Sequence, residues 1–326
     1  MNSEPAALHL SGWRYRAVIL SVVGSALGYL GFSLWGGWQA VGAAVGKVGL
    51  LGIVIALAMS GINYGLRFLR WQCYLKVLGY PMPWRPSLSI YLAGFALTTT
   101  PGKAGEALRG VLLKRWGVPW PQSFAAFFSE RLSDLFAVVL LTLFGLSLYP
   151  EAMPMIVVGV ALVMIGLLVL SQRRLLARLT LMIPVEGGKV TSLLRHLLQV
   201  LGHAQQCHRL HLMLGLTLLS VVAWSAEAVA FHWILQWMGA DIELTFAVFV
   251  YALAMLAGAV SFMPGGLGGA EAVMVGLLVY KGMNGADAVA ATVLIRLATL
   301  WFAVAIGAVM LLRLKGANAP EPQAAR

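Results

Sequence analysis

Two stretches of this sequence place charges where a membrane protein should be most apolar. The first, PGKAGEALRG at 101–110, interrupts the chain at Pro101 and Gly102, then sets down Lys103, Glu106 and Arg109. The second, PGGLGGAEAV, interrupts it at Pro264, Gly265 and Gly266 and follows with Glu271. In both, an arginine trails the glutamate by 25 residues: Arg131 (131 − 106) and Arg296 (296 − 271). A helix restarting after such a break presents unpaired N–H groups and the positive end of its dipole. That end suits an anion such as phosphate. Lys103 and Arg109 add full charges, and the planar forks of Arg131 and Arg296 can each make two parallel bonds to phosphate.

The glutamates pull the other way. Glu106 and Glu271 fall in a first helical turn, where the dipole favours a carboxylate. In one reading each caps its helix and pairs with Arg131 or Arg296, neutralising an empty site. In the other, the arginines leave these partners for a lipid phosphate, and the carboxylates take a cationic headgroup or protons. Buried charges in a membrane are costly enough to mark function by default. Glu130, Arg131 and Asp134 share one helix, with Arg131 and Asp134 at i,i+3 spacing, so a local ion pair competes with ligand contact there. Glu130, Asp134 and Glu227 are candidates for a proton relay; for Glu227, and for His232 in the same span, a helix–helix hydrogen bond is the alternative. The glycine run 265–269 leaves room for a ligand or for close helix packing.

No serine elbow, HExxH, Walker loop or paired aspartates of a metal-dependent transferase occur, so neither enzyme activity nor a cofactor or metal is expected. Cys73 and Cys207 both fall in stretches read as cytoplasmic, which argues against a disulfide.

The elements that must carry these residues are transmembrane helices. Of the 326 residues 60% are hydrophobic and only 11% charged, against about 25% charged in soluble domains. Mean hydropathy is +0.85. Apolar runs long enough for a core of roughly 30 Å recur throughout, and lipid-exposed backbone must satisfy itself as helix. The pattern predicts an all-α polytopic membrane protein of about six transmembrane helices plus two re-entrant helical hairpins. A first span is expected at 17–38, retained rather than cleaved as a signal, and a second at 48–66 leading into RFLRWQCYLK. A long helix is expected at 122–148, with further spans at 153–170, 212–238 and 287–312. Residues 171–211 alternate leucine and basic residues and read as a cytoplasmic amphipathic segment. The tail 317–326 reads as disordered.

The net charge of +11 reflects basic cytoplasmic loops rather than nucleic-acid binding. With the N-terminus inside, only Lys47 and Lys281 among loop cations face outward. Both termini are therefore expected in the cytoplasm, and the membrane is expected to be a bacterial inner membrane. The first broken hairpin then dips from the cytoplasm and the second from outside. Aligning Glu106 with Glu271 gives an offset of 165 that also pairs Gly117 with Gly282 and Arg131-Leu132 with Arg296-Leu297. Residues 1–316 are thus expected to form one transmembrane domain with inverted-topology repeat halves at 48–170 and 212–312. In secondary transporters such repeats put the substrate near midplane, where broken helices meet.

These residues carry a resemblance. TPGKAGEALRGVLLKRWG…ERLSDL followed by MPGGLGGAEAV…IRLATLW resembles the lysylphosphatidylglycerol synthase transmembrane-region family, a flippase-like membrane domain, over roughly 15–315. The resemblance implies lipid translocation, with Glu106, Arg109, Arg131, Glu271 and Arg296 near the path. The soluble aminoacyl-transferase domain of the best-known members has no counterpart here, so synthesis of a lysyl lipid is not expected. The expected ligand is an anionic phospholipid or a polyprenyl-phosphate-linked lipid, and a separately encoded lipid-synthesising enzyme is a candidate partner. The alternatives are a small-solute or ion secondary transporter and a non-transporting membrane partner of a lipid-modifying enzyme.

Overall fold

The computed structural model describes residues 31, 38–100, 104–145, 153–183, 188–261 and 263–316. The expected first span at 17–38 falls outside the described residues apart from Gly31 and Trp38. Pro101, Gly102, Lys103 and the tail 317–326 also fall outside, as do the side chains of Glu106 and Pro264. The described residues are helical and contain no strand. Four helical stretches are long and apolar enough to cross a membrane: Trp38–Val77, Met153–Leu170, Leu210–Trp237 and Gly285–Leu314. The chain is a multi-pass α-helical membrane protein.

Helix α1 (Trp38–Val77) is interrupted at Gly49, whose φ of +66° and ψ of 172° break the helical run. It is followed by α2 (Trp84–Ala93), which tightens into a 3-10 turn at Gly94–Leu97 before the first break. Beyond that break come α3 (Ala104–Lys114) and α4 (Trp120–Phe144). At 1.5 Å per residue α4 is about 37 Å long, enough to span. Glu130, Arg131 and Asp134 interrupt its apolar character midway. Next are α5 (Met153–Ser171) and two amphipathic helices, α6 (Arg173–Met182) and α7 (Lys189–Cys207). The second half holds α8 (Leu210–Trp237), α9 (Leu244–Val260) and a 3-10 turn at Pro264–Gly266. It continues through α10 (Gly269–Tyr280), α11 (Gly285–Arg296), a π-helical turn (Leu297–Trp301) and α12 (Phe302–Gly316).

The two sets of elements superpose in sequence at two offsets. Helix α1 beyond its break, Leu50–Val77, matches α8 at 160 residues, and α2 begins 160 residues before α9. After the breaks the offset becomes 165: α3 and α4 begin at 104 and 120, α10 and α11 at 269 and 285. Helix ends match as well. Gly79 and Gly239, both in the left-handed region, close α1 and α8, and Gly117 and Gly282 close α3 and α10. Each ends its helix by the same pair of backbone bonds, from the glycine N–H three residues back and the next N–H five residues back. The five residues added at the second break are why one gapless offset does not reach α1 and α8.

Packing exchanges the halves. Helices α1 and α8 run antiparallel: Gly52 lies against Trp237, Asn63 Nδ2 donates to the Ala223 carbonyl at 2.8 Å, and Arg70 meets Ser220. Helix α4 packs on α8 and α9, while α11 and α12 pack on α1, α2 and the first 3-10 turn. These contacts fall in two apolar clusters, one centred on α8, α9 and α11, the other on α1, α2 and α3. Helix α7 packs on α4 through Ala204 and Cys207, while α6 and the start of α7 expose Leu181, Met182, Val190 and Leu193.

The closest of these crossings needs glycine. A Cβ at Gly307 on α12 would overlap the backbone of Ala96 in the first 3-10 turn, which has no flexible end to yield. Gly276 on α10 faces open space. Gly307→Ala is expected to cost about 1–3 kcal/mol through overpacking, read as a lower unfolding temperature in detergent. Gly276→Ala is expected to be neutral or to gain up to about 1 kcal/mol by removing helical glycine.

Candidate functional site

The charged residues of the first half converge on α4. Asp134 is gripped by three arginines. Its Oδ2 accepts from Arg67 Nη2 and pairs with Arg131 Nη2, both at 2.9 Å, and Arg70 Nη2 stands 2.8 Å from Oδ1. The indole N–H of Trp224 donates to the same Oδ1 at 3.2 Å. One turn back, Glu130 Oε2 accepts from Arg109 Nη1 at 2.9 Å, and its Oε1 lies 4.0 Å from Arg70. Helical spacing explains this: 130 and 134 share one face of α4, and 67 and 70 share one face of α1.

Aromatic rings and a missing side chain hold Arg109 in place. Its guanidinium lies over Tyr91 at 4.3 Å, Trp71 at 5.2 Å and Phe95 at 5.6 Å. A Cβ on Gly94 would overlap the Arg109 Nε. Arg67 lies over Trp224 at 5.2 Å and Arg131 over Phe127 at 5.4 Å. The side chains of Arg70 and Glu130 are wholly buried, whereas Arg131 is 37% exposed and forms the accessible edge of the cluster.

Charge and donors are both in surplus. Among the described side chains, Arg67, Arg70, Arg109 and Arg131 face Glu130 and Asp134, a net of +2 (4 − 2). On α8, Glu227 Oε2 accepts from the Tyr251 hydroxyl at 2.6 Å. The Nε atoms of all four arginines, the Trp71 indole N–H and the Tyr91 hydroxyl are buried without hydrogen-bond partners. Buried donors left unmade are costly, and these are gathered around a positive centre.

The second half arranges its charges differently. Glu271 reaches back to take the Gly268 N–H at 2.6 Å, so it caps α10. Arg296 donates through Nε to Glu271 at 2.7 Å and through Nη2 to the Gly265 carbonyl at 2.8 Å. Arg296 therefore staples the second break shut with every charge paired. Arg131, its counterpart by spacing, turns instead to Asp134. Position 134 matches Thr299, whose carbonyl in the π-helical turn receives the Tyr64 hydroxyl.

Sequence reasoning named Arg109, Glu130, Arg131, Asp134 and Glu227, and the fold brings them into this cluster or beside it. Glu271, Arg296, Gly265 and Gly266 form the stapled second break. Arg67 and Arg70 were missed. Read as loop cations following a span at 48–66, they lie inside α1, which continues to Val77. The missed signal was the 160-residue offset, which sets Arg67 against Glu227 and Tyr91 against Tyr251.

Comparison with known proteins agrees with this architecture. Residues 18–307 match the family described as the lysylphosphatidylglycerol synthase TM region. Two UPF0104 membrane proteins of Methanothermobacter thermautotrophicus are similar to the chain. One is 24% identical over 291 residues, covering 78% of this chain and 83% of the relative. The other is 25% identical over 298 residues, covering 86% and 88%. A UPF0104 membrane protein of Pyrococcus horikoshii is 21% identical over 298 residues, covering 80% and 86%. With a match across most of its length, this membrane protein belongs to the lysylphosphatidylglycerol synthase transmembrane-region family.

Proposed function

We propose that the protein is a lipid transporter that moves an anionic phospholipid or a polyprenyl-phosphate-linked lipid between leaflets, with the headgroup held among the arginines near α4. One observation carries the reading: among the described side chains, four arginines on α1, α3 and α4 meet Glu130 and Asp134, an excess of positive charge with buried N–H groups left unpartnered. A cluster built only for stability would be neutral, because an uncompensated charge costs most in the least polar surroundings. A phosphate supplies the missing negative charge and takes several N–H groups at once.

Lys103, Glu106 and Arg109 at the first break form the headgroup site with Arg131 in this reading; Arg296 and Glu271 hold the second break. The two halves act as inverted repeats that rock against each other about the antiparallel α1–α8 pair. Matching helix ends and exchanged packing support that assignment. The protein resides in the cytoplasmic membrane with both termini inside, as the loop charges suggest. Glu227 and Glu130 are candidates for carrying protons during the cycle.

Vesicles reconstituted with the full chain and a trace of acyl-chain-labelled phosphatidylglycerol test the reading by bleaching of the outer leaflet. The wild type is expected to expose inner-leaflet label. Arg131→Gln removes an edge cation and Gly94→Ala displaces Arg109. Each is expected to slow crossing about tenfold, the worth of one charge-assisted hydrogen bond, with little change in unfolding temperature for Arg131→Gln. Rates equal to protein-free vesicles in the wild type would rule out transport of this lipid class. Orientation is tested by thiol labelling in sealed cells. Cys73 near the end of α1 is exposed and is expected to react only with reagents that reach the cytoplasm. Burial pushes the Cys207 thiol up to about 12, so it stays protonated and unreactive at pH 7.5.

A further inference from the structure

Why should one carboxylate hold three arginines within 2.9 Å while its neighbour holds only one that close? Asp134 offers two oxygens and receives Arg67, Arg131, Arg70 and the Trp224 indole, more donors than its single charge balances. A phosphate group presents the same acceptors over a slightly larger span and with more charge. Arg131, the partly exposed member, stands where an incoming headgroup would first meet the cluster. The neighbouring Tyr91 hydroxyl and the Nε atoms of Arg67, Arg70 and Arg109 are already buried and unpartnered. The equivalent place in the other half carries Thr299, where Glu227 and Ala230 stand in place of Arg67 and Arg70, so carboxylate and arginine cage occur together.

From this geometry we infer that Asp134 is a built-in stand-in for the ligand's phosphate, occupying the arginine cage when no headgroup is bound and competing with it. The inference rests on the anionic-lipid reading above. Its chemistry is a phosphate group, and a lipid headgroup and free phosphate offer the same recognition. Competition by a resident anion lowers apparent affinity by the fraction of time it holds the cage. It also gives the ligand a way to leave, because the arginines are never abandoned without a partner.

The test is titration of the purified full chain with dioctanoyl phosphatidic acid, and separately with inorganic phosphate, read by calorimetry. Wild type, Asp134→Asn and Asp134→Thr are compared, the last copying the residue at the matching position. If Asp134 competes, both variants bind phosphatidic acid at least about tenfold more tightly than the wild type. Both also melt at lower temperature without ligand and recover more than the wild type on adding it. A purely structural counter-ion would give unchanged or weaker binding in the variants while the wild type still binds. That result overturns the inference and leaves the transport reading standing. Failure of both variants to fold even with ligand present also overturns it. No binding of either probe by any form overturns the anionic-ligand reading and the inference with it. Inorganic phosphate bound as tightly as the lipid, with the same gain in the variants, upholds the stand-in role but assigns the site to a free anion.

Discussion

Within a membrane, each ionised side chain must find its counter-charge inside the protein or draw one from a ligand. The grip of Arg67, Arg70 and Arg131 on Asp134 is where this constraint acts most strongly. It joins α1 to α4, and through the Trp224 indole and Ser220 it reaches α8 in the other half. Arg109, held between Tyr91 and Glu130, brings in α3 and α2. The elements around the first break are thus tied together by ionic contacts as much as by apolar packing. Buried ion pairs add little net stability over an apolar core, yet breaking one is expensive. Such a centre fixes relative positions more than it strengthens the whole, and positioning is what a binding site needs.

The two halves share a backbone plan and use it differently. At the second break a glutamate caps α10, and an arginine joins that cap to the carbonyl of Gly265. Every charge there has a partner, and the break is locked. Around the first break the corresponding arginine leans toward Asp134, and the surrounding positions carry Arg67, Arg70 and Arg109. Their counterparts at the same offsets are Glu227, Ala230 and Met274. The same fold therefore carries a fully paired ion pair on one side and a charged, under-satisfied cluster on the other. The π-helical turn on the locked side replaces α-helical bonding within the long helix that matches α4, and Tyr64 on α1 takes one of its carbonyls. Insertions of this kind often accompany functional sites in helices; here it joins the rigid half to the helix that carries Arg67 and Arg70.

Much of this was legible in the sequence, and the part that was not has a physical reason. Hydrophobic length revealed the helices, and Pro-Gly pairs revealed both interruptions. A glutamate and an arginine 25 residues apart fixed the 165-residue offset, which the starts of α3, α4, α10 and α11 follow. Pairing at Glu271–Arg296 followed from the same spacing. Arg67 and Arg70 escaped because basic residues after an apolar run look like the edge of a span. Only the tertiary partners on α4 show that the helix runs on with them inside. Spacing alone also left the Arg131–Asp134 pair undecided, since an i,i+3 neighbour is always within reach on the same helix. Ion-pair choice is a tertiary property: it depends on which helices meet, and sequence periodicity fixes only which face each residue occupies.

That choice bears on how the proposed transport would release its ligand. A transporter that left this four-arginine cluster without counter-charge would face the full cost of like charges in a poorly screened interior, where Coulomb energies exceed those in water several-fold. Glu130 and Asp134 on one face of α4 give the cations anions at short range. In the proposed cycle, movement of one half against the other would let an arginine such as Arg67, here paired with Asp134, exchange its partner. Under the proposed function, such exchange would spread the cost of releasing an anionic headgroup over small changes in pairing. The contacts of Glu271 and Arg296 at the second break are separate from these pairings.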